Sequence, residues 1–412
     1  MITTALHPTL ARATAGTATV AVVAPREALP YAQAFARRGW RTVSIGLAPH
    51  LRPLALPATS PTAGCTDAVE HTGSLRRTVK KLRPLGVSAV IAASPEGIEL
   101  ADRLAWQLGL PGPDPATSVL RRDRGAQATA LAQADIAAPR CVRTTSLAYA
   151  LEWARFYAPP RFLLAPAAVG IDVAPVSCAD DLQISSAWPE MRRAAARHST
   201  DAHLVLTEEL TGPRYLVNSS THPGPDGTTH HDVTDIWAEV HTPEGHLDRS
   251  DLLDRQPLLA RVLTMYMRRV LDALGVVSGP VSSHIVYTVD RGPVLLSALA
   301  VPGLSPADDA LRSCTGHDRL GTALDAVTAA QPARPTPAPA GRHIVRIRLH
   351  THDQDGTPPR LLRSVRQLPT AVAVSPSSHE VVLSHARSLA VEADYQAIRA
   401  LERDRFHGAG CP

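Results

Sequence analysis

Two histidine pairs are the first groups in this chain that could do chemistry. His230-His231-Asp232 sets two imidazoles beside a carboxylate, a combination that binds zinc or passes protons near neutral pH. Arg348-Leu-His-Thr-His352 puts His350 and His352 at alternating positions, on one face of a strand. The segment Leu206-Thr-Glu-Glu-Leu210 adds adjacent carboxylates, Glu208 and Glu209, of which one can face a cleft and the other the surface. Each pair also has a plain reading: a solvated turn around Gly224 to Gly227 for His230 and His231, and an exposed strand for His350 and His352. Lys80 and Lys81 are the only lysines. They lie in Ser74-Leu-Arg-Arg-Thr-Val-Lys-Lys-Leu82, where Leu75, Val79 and Leu82 at helical spacing turn both ammonium groups to solvent. There is no Gly-x-Ser-x-Gly elbow and no Walker loop.

Composition narrows the classes. The 412 residues exceed one ordinary core and predict two or three domains, and 44% hydrophobic residues exclude a disordered chain. A net charge of +4, with arginines scattered and aromatics at 4%, argues against a nucleic-acid groove. The bias to Arg over Lys and to Ala and Pro reads as a GC-rich, actinobacterial coding sequence. Cys65, Cys141, Cys178, Cys314 and Cys411 are odd in number and far apart, which reads as reduced thiols rather than a disulfide framework. The start, Met1-Ile-Thr-Thr-Ala-Leu-His-Pro8, lacks a basic n-region and an apolar h-region, and no apolar run reaches ~18 residues. A cytoplasmic protein without a membrane partner is expected.

The elements follow from periodicity. Thr19–Val23, a helix through Tyr31 and Phe35 ending at Gly39, and Thr42–Ile45 predict a βαβ unit and hence a parallel sheet. Ala89–Ala93 predicts another strand. Glu96–Leu108 predicts a helix with Ile98, Ala101, Leu104, Ala105 and Leu108 inward, closed by Gly109. Helices are expected from Thr117 through Ala130, over Thr145–Ala154 and over Leu258–Leu274. Strands are expected at Arg161–Ala165, Leu204–Leu206, Tyr215–Asn218, Asp232–Trp237, Ser283–Thr288 and Val294–Ser297. Pro332–Gly341 reads as a stiff proline-rich linker before a small αβ lobe.

Three stretches in this order resemble the ATP-grasp superfamily, specifically its carboxylate–amine ligases. Ala93–Pro111 is similar to the strand, turn and helix that close the domain preceding the ATP-grasp core. Asp114–Arg124 is similar to the start of the lid, and Leu206–Tyr215 to the hinge that meets adenine through its backbone. The resemblance implies an α/β and α+β chain with five parts. These are a doubly wound preATP-grasp domain over 1–112, a lid over 113–205, a central subdomain over 206–331, the linker over 332–341, and a C-terminal αβ lobe over 342–412.

The same resemblance exposes departures. The lysine expected at the lid start corresponds to Arg124, either a bidentate phosphate ligand or a solvated helix-start residue. The second phosphate lysine corresponds to Ala165, and the glycine-rich flap is shortened to Ala167–Asp172. The two acidic magnesium ligands correspond to His284 and Ser297, and the basic or amide residue after them to Val301. An imidazole and a hydroxyl make a poor magnesium site. The acid that tends to meet ribose corresponds to Arg214. The strand Trp237-Ala-Glu-Val-His241, ending in His241, replaces one that carries basic substrate-binding residues in related ligases.

These departures predict an ATP-grasp-like protein of a bacterial specialised-metabolite pathway, with ligation lost and the cleft kept for a ligand or partner. An active amino acid ligase, and ATP-independent acid–base catalysis around His284, are the alternatives. Nucleotide contacts, if retained, fall to Arg124, Glu208, Glu209 and Leu210. Ser297, His230, His231 and His241 are the further cleft candidates. No metal and no cofactor are expected, with ATP and magnesium entering only for the active ligase. The expected partner is an amino-acid-like small molecule or another biosynthetic protein, and a homodimer is compatible with the sequence. His284 either handles protons or fills the room of the absent metal.

Overall fold

The structure, a computed structural model, describes residues 18–408 except 55–61, 172, 200, 225–227, 243–244, 254–257, 304–307, 317, 329–340, 351–358 and 376–378. His352, the turn centred on residues 225–227, and all of the proline-rich linker but Gly341 lie outside the described residues.

The first sheet is built from β1 (Thr19–Val23), β2 (Arg41–Leu47), β3 (Asp67–His71) and β4 (Val87–Ala92), all parallel, in the order β3-β2-β1-β4. The connections are α1 (Leu29–Ala36) and α2 (Leu75–Leu82), and α3 (Ile98–Leu108) follows. Continuous β-branched runs explain strands buried on both faces. Val79 and Leu82 of α2, with Ile98, Leu104 and Ala105 of α3, cover one face. Tyr31 and Phe35 of α1 cover the other. Gly109, at φ +67°, ends α3 in the left-handed conformation that a Cβ would disfavour.

The lid follows. The helix expected from Thr117 is two pieces, a 3₁₀ segment Pro115–Arg121 and α4 (Arg124–Gln133). Asp123 breaks it: in extended conformation, its carboxylate accepts from the Ala126 amide and caps α4. Next come β5 (Cys141–Thr144), α5 (Leu147–Tyr157), β6 (Phe162–Pro166), β7 (Val176–Cys178), α6 (Asp181–His198) and β8 (Leu204–Glu208). The four strands form an antiparallel sheet, β5-β8-β6-β7. Phe162, Leu164, Leu204 and Leu206 meet α5 and α6 on one face, which leaves alternate residues such as Ala165 and Val205 on the other. Because β8 runs across residue 205, the lid sheet ends at Glu208. Helix α6, which is not among the expected elements, carries Pro189 through its middle.

The third sheet has eight strands. They are β9 (Arg214–Pro223), β10 (Thr229–His241), β11 (Leu247–Leu252), β12 (Gly279–Thr288), β13 (Gly292–Leu299), β14 (His343–Arg348), β15 (Ala371–Ser375) and β16 (Glu380–His385), in the order β13-β12-β9-β10-β11-β14-β16-β15. Helices α7 (Leu258–Ala273), α8 (Asp308–Thr315), α9 (Arg319–Thr328), α10 (Pro359–Arg366) and α11 (Ser388–Gly408) accompany it. The strands of the C-terminal αβ segment continue this sheet, because β14 pairs with β11 through Val345–Ile347. Two further contacts bind the parts together. Leu320, Ala323, Leu324 and Val327 of α9 complete the outer face of the first sheet. Buried Arg121 donates to Asp102 of α3 at 2.7 Å and lies 3.5 Å from the Leu274 and Gly275 carbonyls beyond α7.

Candidate functional site

The cleft lies over one face of the eight-stranded sheet, and strand alternation decides which side chains enter it. Ile285 packs with Leu263, Met267 and Leu271 of α7. His284, its neighbour on β12, therefore points to the opposite face, where its side chain is 49% exposed. Register places Ser297 beside His284 on β13 and Leu216 beside it on β9. On the same face, Arg214 of β9 pairs directly with Glu239 of β10.

Glu239 is the residue at the centre. Its Oε2 lies 3.5 Å from His284 Nδ1 and 3.9 Å from His241 Nε2, with only 5% of the side chain exposed. Burial pushes its carboxyl up, but the His284 hydrogen bond and the charges of His284, His241 and Arg346 outweigh that and hold it below its ordinary value. Burial pushes the His241 imidazole down, and Arg214 and His284 reinforce this against Glu239. The sequence reading named His284 and His241 but missed Glu239. The signal was present: Glu239 is two residues from His241 on one strand, and period two puts both on one face.

Beside this cluster is a buried polar layer centred on Asp235. Asp235, 4% exposed, accepts from Asn218 at 2.6 Å, from Arg319 at 3.0 Å and from the Trp237 indole. Burial pushes Asp235 up, but Arg319 and the Asn218 and Trp237 bonds hold it below the usual carboxylate range. Ser282 bonds Asn218, and the Arg346 guanidinium lies 5.3 Å from the Trp237 ring centre while bonding Glu380 at 2.8 Å.

The flap packs against Arg124, the first domain and β13. Arg124 donates to the carbonyls of Pro166 and Ala168, both at 2.8 Å. Its guanidinium is turned onto the flap backbone, and burial pushes it down to about 10 against the opposing charge of Asp123. The flap packs downward: Ala167 and Val169 are buried. A Cβ on Gly170 would come within 2.7 Å of both Leu299 and Pro95. Gln127 of α4 clamps β13 beside Ser297, donating to the Ala298 carbonyl at 2.6 Å and accepting from its amide at 2.9 Å. Ser297 itself is buried. Val301 packs into the first domain's core.

At the hinge, Glu208 accepts from Arg291 at 2.7 Å and from the Arg140 amide at 2.8 Å. Glu209 accepts from Arg161 at 3.1 Å, and Leu210 between hinge and central sheet is half-buried. Gly212, at φ +148°, sits so close to the Tyr287 carbonyl that a Cβ would lie 2.1 Å from its oxygen. Hinge and central sheet are thus joined without an intervening side chain.

The histidine pair at 230–231 does not enter this site. β10 begins at Thr229, so period two splits the pair. His231 is buried on the α7 side, bonding Thr221 at 2.8 Å and Asp272 at 3.0 Å, while His230 is exposed beside Thr228. The two ring nitrogens of His231 thereby tie β10 to Thr221 of β9 and to Asp272 of α7. His350, just past the end of β14, bonds Asp248 of β11 at 3.2 Å. Among the described residues, no three His, Cys, Asp or Glu side chains converge as a group able to hold a metal ion.

The doubly wound domain, the four-stranded lid and the central antiparallel sheet together make an ATP-grasp fold. The solved structure of an L-amino acid ligase from Bacillus licheniformis superposes over 94% of this chain and 98% of its own, with a TM-score of 0.70 and 14% identity. The ADP complex of an N5-carboxyaminoimidazole ribonucleotide synthetase covers 96% of this chain and 99% of its own, at TM-score 0.71 and 13% identity. The carboxyaminoimidazole ribonucleotide synthase of Aspergillus clavatus, complexed with ATP, covers 94% and 99%, at 0.71 and 11%. At these identities the likeness is one of fold. No family model and no curated protein sequence matches the chain.

Proposed function

We propose that this protein is an ATP-grasp scaffold that has given up ATP- and magnesium-dependent ligation and keeps its cleft for a small ligand or a protein partner. One observation carries the reading: the donors at the two metal positions are an imidazole held by Glu239 and a buried hydroxyl, His284 and Ser297. Magnesium favours octahedral oxygen donors, with carboxylates bridging to phosphates. The closed flap, the inward turn of Arg124 and the absence of any donor on Ala165 add to this. The residues present therefore do not fit a magnesium–ATP complex. A metal Lewis acid contributes several kcal/mol to transition-state stabilisation, and each ~1.4 kcal/mol is tenfold in rate, so loss of metal and phosphate clamps together removes useful acyl-phosphate formation.

The reading places the protein in a bacterial specialised-metabolite pathway and in the cytoplasm, supported by its composition. Among the described residues no helix is long and apolar enough to cross a membrane. Titration calorimetry tests the proposal. Magnesium and ATP, alone or with amino acids, should give no heat of binding, while a pathway metabolite should bind without nucleotide. Tight, magnesium-dependent ATP binding would overturn it and restore the active ligase.

A second reading, ATP-independent acid–base catalysis at His284, is favoured by the Glu239 contact, which orients the half-exposed imidazole through Nδ1. Any such activity would show a pH profile displaced by Glu239→Gln; an undisplaced profile would remove His284 from the chemistry.

A further inference from the structure

A chain with only 4 Phe, 5 Trp and 7 Tyr places four of these rings in the 11 residues of α5. Tyr149, Trp153 and Phe156 recur at helical spacing and form a stripe, with Tyr157 beside it. Trp153 turns inward, its ring 6.4 Å from Phe162 of the lid core. The others stay outside: Tyr149 is 55% exposed, Phe156 80% and Tyr157 44%. The Arg155–Asp181 ion pair, 2.7 Å, brings the start of α6 alongside, where Leu182 is 77% exposed. Off α5, Trp106 is the other strongly exposed ring among the described residues, at 66%; on α5 three exposed rings share one helix.

The size of this surface can be set against what association needs. Taking about 200 Å² for each ring, the exposed fractions give roughly 360 Å² of aromatic surface, which exposed Leu182 brings to about 500 Å² of apolar surface. That matches the largest patch of a typical monomer, which is often functional. Stable association buries about 800 Å² per partner. With the polar residues that border the stripe, Glu152 and Arg155 among them, the surface is of the right extent for one helix-to-helix contact.

The charges choose the occupant. Glu152 and Arg155 stand three residues apart on the exposed side of α5, and Glu152 has no ion-pair partner among the described residues. When two copies of α5 lie antiparallel about a two-fold axis through the midpoint of these residues, each Glu152 faces the other copy's Arg155. An isologous contact must be complementary to itself, and this pattern is. We infer that the α5 face of the lid binds a second copy of this chain, forming a two-fold dimer through paired lids. The contact lies on the helical side of the lid sheet, opposite the side of Ala165 and Val205 that faces the cleft, so it leaves ligand access open. The inference does not rest on the loss of ligation.

Sedimentation velocity over a concentration series, with the full chain, tests it. The wild type should sediment as a concentration-dependent dimer. Phe156→Glu should shift it to monomer while the circular dichroism melting curve is retained. The decisive series is charge reversal. Glu152→Arg and Arg155→Glu each set like charges face to face twice and should weaken dimerisation by about tenfold or more. The double reversal restores opposite charges and should recover most of the affinity. Arg155→Glu also breaks the Asp181 contact, which makes recovery in the double variant a readout of pairing across copies. A wild type that stays monomeric overturns the inference. So does a dimer indifferent to Phe156→Glu, or one that the double reversal fails to restore.

Discussion

Substituting His284→Glu would place a second carboxylate against Glu239, and the geometry gives the size of the effect. His284 Nδ1 and Glu239 Oε2 are 3.5 Å apart, with the partners 49% and 5% exposed. Two like charges about 4 Å apart at an effective dielectric of about 20 repel by about 4 kcal/mol. The half-exposed side chain can swing toward water; doubling both separation and dielectric lowers the repulsion to about 1 kcal/mol. His284→Glu should thus be about 1–3 kcal/mol less stable than the neutral control His284→Gln, measured by urea denaturation at neutral pH. The sign of the pH dependence follows. Repulsion raises the new carboxyl's folded pKa above its unfolded value of about 4.3. The penalty is therefore complete above the folded pKa and vanishes as pH falls below the unfolded one. The two variants should converge near pH ~3. Equal stability at neutral pH, or a gap that survives acidification, would refute the placement of His284 against Glu239.

Two further substitutions probe what surrounds the cluster. Arg319→Met leaves Asp235 buried without its 3.0 Å cation, the side chains being 7% and 2% exposed, and should cost about 3–5 kcal/mol in denaturation; a cost below about 1 kcal/mol would mean that Asn218 and Trp237 suffice. Gly170→Ala, at φ +76° and with Leu299 and Pro95 each 2.7 Å from the new Cβ, should lift the flap and cost about 1–3 kcal/mol. Adding Leu299→Ala should recover part of that loss in the same assay, and no recovery would place the strain in the backbone alone.

Much of the fold was legible because it rests on local periodicity. β1, β2, β4 and α3 follow from β-branched runs and the spacing of Ile98, Ala101, Leu104 and Ala105. The placement of His284 opposite Ile285 needed only the alternation of a strand. Periodicity failed where a cap, a proline or a strand boundary decides. Asp123 breaks the expected helix because its carboxylate caps α4, and α6 persists through Pro189. His230 and His231 read as one cluster from sequence, yet a strand that starts at Thr229 sends them to opposite sides.

The sequence by itself determined which chemistry the cleft lacks. An alanine at 165, a histidine at 284 and a serine at 297 carry no carboxylate or lysine whatever their surroundings, because side-chain charge is a covalent property. Only the tertiary structure decided what those positions do instead. Glu239 becomes central because the order β12-β9-β10 brings strands separated by some forty residues onto one face. Arg124 turns from the cleft because the flap carbonyls of Pro166 and Ala168 lie within its reach. The first domain's outer face is finished by α9, from far along the chain, because four parallel strands with α1 alone leave Val20, Val22 and Ile91 in need of apolar cover. Pairing between distant strands and burial between distant helices are non-local, and no window of sequence contains both partners.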